Sequence, residues 1–326
     1  MGMDARIKAF VVCTLAVSLC GCGSLGVFLG LRTRLDKIPI TAMSATLSPN
    51  PLLAPGQSGR LVITASTADG TRYVTVGPGH GKVLFDSFTF NSVIATVKKN
   101  GKVTLPADPR LSDGQTPLIK ITAIGHPDLA AQLDIPVRYD IAFQSDFSGR
   151  PGFPGTPGFD GIAGSSGSSG STDPNNPAPG GNGSDGTNGG DGGDGGPGGA
   201  GQDVHVWIAL RSGPTPLLQI RATSRVREQF FLVDPHGGSL AIDANGGPGG
   251  SGGSGGRGGL GGAGGSGIPN GFSGNSGLSG FDGHPGANGK PGTITVSVDP
   301  QAQPYLNALK LSPPAKIQVE TVAPLW

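Results

Sequence analysis

The sequence predicts an all-β protein joined to a polyglycine II helix bundle: a β-sandwich followed by four antiparallel Gly-x-y helices capped by a small β-sheet. Three observations carry this prediction. From about residue 41 to 143, β-branched runs such as LVITAST, SVIATV and PLIKITAI are separated by the turn signals ADG, KNG and SDG. Glycine then falls on every third residue in four blocks, 149–170, 180–201, 246–267 and 271–292, each 22 residues long. The segments between and after the blocks, among them DVHVWIALRS, PLLQIRATS, EQFFLVD, SLAIDA and TITVSVD, are strand-like again. Glycine supplies 61 of 326 residues, far above the usual ~7%, so the blocks dominate the architecture.

Taken in chain order, the first element is a leader. Arg6 and Lys8 precede an uninterrupted apolar run over 9–19, as in an export signal. The run ends in LCGC, which resembles the bacterial lipobox. That resemblance implies cleavage after residue 21, lipidation of Cys22, and a membrane partner through the lipid anchor. Gly23 follows Cys22, and by resemblance to lipoprotein sorting this implies the outer membrane. A retained membrane span over 9–31 is the rival reading, with Arg32, Arg34 and Lys37 behind it. Its glycine-rich second half makes a poor helix. All three cysteines (Cys13, Cys20, Cys22) lie in the leader, so the cleaved chain is expected to hold no disulfide.

Residues 22–40 read as a tether. Residues 41–146 hold short alternating strands with no amphipathic helical period, the pattern of an immunoglobulin-like β-sandwich. The Cys–Trp–Cys arrangement of antibody domains is absent, so this likeness is one of architecture only.

Residues 147–201 carry blocks one and two, and residues 246–292 carry blocks three and four. A flexible spacer needs glycine but no phase. Period three is the repeat of an extended left-handed helix that bonds nothing internally, so its backbone groups need neighbours. Glycine on one face lets a neighbouring backbone approach. The expected structural glycines are Gly149, Gly152, Gly155, Gly180, Gly183 and Gly189 in the first pair. In the second pair they are Gly246, Gly249, Gly252, Gly255, Gly258, Gly271, Gly274 and Gly277. In block three the second position is also glycine in seven triplets, and in block two Gly181, Gly190, Gly193, Gly196 and Gly199 hold it, which predicts that both are inner segments flanked on two sides. Blocks one and four carry Phe153, Phe159, Ile162, Phe272, Leu278 and Phe281 at that position. They are expected to be outer segments, each with an apolar stripe to bury. Residues 202–245 read as a β insertion, and 293–326 as C-terminal strands completing the β cap. If the blocks alternate in direction, the β segments gather at one end of a rod roughly 65 Å long.

FSGRPGFPGTPG, the paired glycine blocks and VWIALRSGPTPLLQI resemble the collagen-like, glycine-rich bacterial lipoproteins. The resemblance covers most of the chain and brings no assigned activity. A homotrimeric collagen-like stalk is the alternative architecture, although the unequal blocks favour a monomer.

Composition and motif content narrow the chemistry. Only 14% of residues are charged and the formal net charge is +1, which leaves no electrostatic footprint for nucleic acid. His80, His126, His205, His236 and His284 are scattered without ligand spacing. No HExxH or Walker pattern occurs, and the GxSxG matches at 249–253 and 252–256 fall inside a period-three glycine block. GGDGGDGG lacks the nonapeptide period of calcium-binding repeats. Asp185, Asp191 and Asp194 read as solvated side chains open to weak cation contact. The expectation is a non-enzymatic envelope protein with no cofactor and no metal, structural or adhesive in role, with an envelope protein or a glycan as partner. Ligand binding through the β-domain loops is the other reading.

Overall fold

The computed structural model describes residues 32–76, 82–211, 213 and 215–326. Cys22 and the leader lie outside the described residues. The chain divides into two compact units. The first comprises the chain up to Ile141, Phe230–Gly238 and Trp326, and the second Ala142–Gln229 and Ser239–Leu325.

The first unit is β-rich and consistent with a β-sandwich. Its strands are β1 (Arg32–Thr33), β2 (Ile40–Ser48), β3 (Ser58–Thr67), β4 (Arg72–Val74), β5 (Lys82–Val83), β6 (Phe88–Val93), β7 (Thr96–Val97), β8 (Lys102–Thr104), β9 (Leu118–Ala123) and β10 (His126–Asp134). One sheet runs β1-β5-β4-β3-β8-β7 with β2 also on β3, and the other runs β10-β9-β6. Alternation sends Leu61, Ile63 and Ala65 of β3, and Ile119, Ile121 and Ala123 of β9, into one buried cluster. Leu35 and Ile40 join that cluster from the segment ahead of β2 and from its first residue. Removing these aliphatic side chains from water is the main force holding the two sheets.

The second unit contains β11 (Ala142–Asp146), β12 (Val204–Arg211), β13 (Leu217–Thr223), β15 (Ser239–Asp243), β16 (Ile294–Val298), β17 (Leu309–Ser312) and β18 (Lys316–Val319), with β14 (Glu228–Val233) following β13 in the chain. A parallel sheet runs β11-β15-β17, and a second runs β13-β12-β16-β18, in which only β13 is antiparallel to its neighbour. The order reveals a coil. The chain goes β11, block one, block two, β12; then β15, block three, block four, β16, laid in parallel on the first pass. A third pass, β17 to β18, closes through Pro313, Pro314 and Ala315 with no glycine block.

One expectation is corrected here. The predicted bundle of four antiparallel polyglycine II helices is not present. The regular structure of the described residues is nearly all β, with only three short 3₁₀ helices, and neither strand nor helix is assigned within any block. No hydrogen bond runs within a block, as period three requires, so nothing inside a block makes it a regular element by itself. A block has no helical bonding of its own and is an extended segment held by its neighbours.

Candidate functional site

The lateral bonds between blocks form a repeating lattice with N···O distances of 2.6–2.9 Å. In block one the first glycine of each triplet donates to block three, from Gly152 and Pro248 through to Gly170 and Ser266, and Gly149 donates to Asn245 just ahead of that block. In block two the first glycine donates to block four, as Gly183 does to Phe272 and Gly189 to Leu278. Second-position amides of block two donate to block one (Gly190 to Phe159), and those of block three donate to block two (Gly253 to Gly193). Block four closes onto block three, with Gly271, Gly274 and Gly277 donating to Gly265, Gly262 and Gly259. Blocks two and three each bond all three others. Blocks one and four bond only two and three.

These contacts explain the glycines residue by residue. A Cβ on Gly149, Gly152 or Gly155 would lie inside the contact radius of the Gly199, Gly196 or Gly193 carbonyl oxygen. On Gly180, Gly183 and Gly189 it would strike the carbonyls of Gly265, Gly262 and Gly256. In block three, Gly246, Gly249, Gly252, Gly255 and Gly258 face carbonyls of block four, while Gly247, Gly250 and Gly253 face carbonyls of block one. Gly271, Gly274 and Gly277 meet the carbonyls of Gly181, Ser184 and Thr187. Block three is glycine at two positions of three because two backbones press on it at once.

Side chains end the lattice at its margins. The carboxamide or carboxylate Oδ1 of Asn182, Asp185, Asn188, Asp191 and Asp194 accepts from the amides of Phe272, Asn275, Leu278, Phe281 and His284, each pair 90 residues apart, at 2.6–2.9 Å. Thr187 and Ser184 hydroxyls accept from the Ile162 and Ser165 amides, and Asp160 accepts from the Arg257 amide. Asn288 and Asp282 take the amides of Gly249 and Gly255. These oxygens occupy donors that an all-glycine edge would leave open to another chain. Asp185, Asp191 and Asp194 are therefore exposed but already engaged with the backbone. Sequence reading missed this role, although an Asx at 182, 185, 188, 191 and 194 is a period-three signal in itself.

The apolar stripes are also corrected. Phe153, Phe159, Ile162, Phe272, Leu278 and Phe281 are 73–87% exposed. Blocks one and four stand at the margins of the lattice, and no described residue of the second unit covers these six side chains.

Of the remaining candidates, His80 lies outside the described residues. Trp207 is stacked face to face by His205, with ring centroids 3.9 Å apart, and the Arg221 guanidinium lies 5.0 Å from its centroid. His205 Nε2 is 2.9 Å from Ser297 Oγ. The exposed His284 imidazole is 3.8 Å from Asp194, a contact of little energetic weight. Among the described residues no group of three or more His, Cys, Asp or Glu could hold a metal ion. Among the same residues no helix is long and apolar enough to cross a membrane.

No protein-family model and no curated protein matches the chain. The geometry by itself defines a class: a β-rich protein of two units, one of which presents apolar side chains on a backbone-bonded glycine lattice.

Proposed function

We propose that the protein is a non-enzymatic, lipid-anchored protein of the bacterial cell envelope, with a structural or adhesive display role. The likeness of its leader and glycine blocks to collagen-like lipoproteins assigns Cys22 as the anchor and the outer membrane as the site. The observation that carries the display role is the exposure of Phe153, Phe159, Phe272 and Phe281 on a lattice whose backbone is bonded every third residue. Exposed aromatic side chains on a soluble surface favour contact with a partner, and a lattice that holds them in place lowers the entropic cost of that contact. The partner is an envelope protein or a glycan. The lateral bonds close within one chain, which favours a monomer over a collagen-like trimer.

Adhesion to isolated envelope material, read on a surface-mass sensor, tests the display role. The double variants Phe153→Ser/Phe159→Ser and Phe272→Ser/Phe281→Ser should each lose most binding while melting like the parent. Undiminished adhesion in both would remove the display reading. Radioactive palmitate should label the parent in a bacterial host, and Cys22→Ala should stay unlabelled.

A further inference from the structure

The first unit carries a cationic groove that has no part in the glycine lattice. Arg60 on β3 and Lys102 on β8 face each other in register. Directly opposite residues of an antiparallel pair project to the same side with Cβ atoms about 5 Å apart, and like charges there repel. Neither side chain has an acidic partner within ion-pair distance among the described residues, and the same is true of Arg32 and Lys99. Arg60 and Asn100 line two cavities, of about 380 and about 440 Å³. Arg32, Lys99 and Asp86 border the first and Lys102 the second. Among the described residues, four cations and one carboxylate thus line the two cavities that meet at Arg60 and Asn100.

The groove is pre-shaped. The turn that carries Lys99 and Asn100 is closed by the Gly101 amide on the Lys98 carbonyl (2.8 Å) and by the Lys102 amide on Asn100 Oδ1 (3.1 Å). The Leu61 amide ties the same turn to β3 through the Gly101 carbonyl, at 2.8 Å. Gly101 has a φ of +79°, and the Phe85 ring sits where its side chain would be, so the turn admits glycine alone. Thr75 is buried at the wall of the first cavity. Its Oγ1 accepts from the Ile63 amide at 2.9 Å, which leaves the hydroxyl proton for an acceptor in the cavity.

We propose that this groove binds a phosphate-class oxyanion, free or carried on a hydroxylated body. An oxyanion between Arg60 and Lys102 turns their repulsion into two charge-assisted bonds, and the planar guanidinium can engage two of its oxygens. Asp86 and Asn100 supply the acceptors and amide donors that hydroxyl groups require. A free phosphate and a phosphate borne on a polyol share this chemistry.

Calorimetric titration of the full chain with inorganic phosphate, with glycerol phosphate and with glycerol tests the proposal. Both phosphates should bind at millimolar concentration or below, and glycerol should not. Tighter binding of glycerol phosphate assigns the groove to a carried phosphate; equal affinity assigns it to the free anion. Arg60→Gln and Lys99→Gln should each weaken binding about tenfold. Lys102→Gln should melt higher than the parent without phosphate and gain less from its addition, because the repulsion and the ligand contact vanish together. Silence from both phosphates overturns the proposal. So does unchanged affinity in Arg60→Gln and Lys102→Gln proteins that melt cooperatively. The groove lies in the first unit, so either result leaves the display role of the second untouched.

Discussion

Gly189 and Gly190 are neighbours in the chain with different neighbours in space. A Cβ on Gly189 would lie inside the contact radius of the Gly256 carbonyl, whereas one on Gly190 would meet the Phe159 amide nitrogen at 3.4 Å and nothing closer. Gly189→Ala should therefore cost about 2–4 kcal/mol, since the block must retreat and lose bonds. Gly190→Ser should raise stability by roughly 0.5–1.5 kcal/mol. Its hydroxyl can accept from the Phe159 amide as Thr187 does from Ile162, and the unfolded chain loses freedom. Thermal melts of the two variants check both signs. Asp191→Ala removes the acceptor of the Phe281 amide, 2.8 Å away. It should cost about 0.5–1 kcal/mol, in line with the loss of one exposed side-chain cap.

At the scale of the element, a block is stable only as a member of the set. Gly253 donates to Gly193 of block two, accepts from Gly283 of block four, and would press a side chain against the Thr156 carbonyl of block one. Gly253→Val should separate all four blocks and lower the melting temperature of the second unit by well over the effect of Gly189→Ala. A melt like that of the parent would mean that the lattice does not form in solution. Acid should act on the same unit. The Thr293 side chain and then its amide hold Asp203 below the ordinary carboxylate range, and the Ser148 amide and hydroxyl do the same for Asp146. A carboxyl with a depressed folded pKa contributes stability that is present above its unfolded value, near 4, and lost as pH falls through the folded one. The melting temperature should be flat above pH 5 and drop below about pH 4. Asp203→Asn should show a shallower drop. The repeat, its phase and its equal lengths are all legible in the sequence. The lack of bonds within a block is legible too, since period three specifies an extended chain that bonds nothing internally; which neighbour takes each bond is not.

For the whole molecule, the two compact units have separate sources of stability: an aliphatic core in one and a backbone lattice, with its flanking strands, in the other. Calorimetry should resolve two transitions, with Gly253→Val lowering only one. Light scattering should give a monomer mass; a trimer mass would restore the collagen-like stalk. Sequence alone determined where the strands and blocks lie and that glycine is needed on one face of every block and two faces of block three. These are properties of local chain geometry, written in period and residue size. Only the tertiary structure decided that the second unit coils twice through glycine arms and a third time without them, and that the apolar stripes stay exposed. It also turned the Asx row into caps and brought Arg60 and Lys102 face to face. Each of these depends on register between segments far apart in the chain, and register is set by which backbones meet rather than by any one segment's composition.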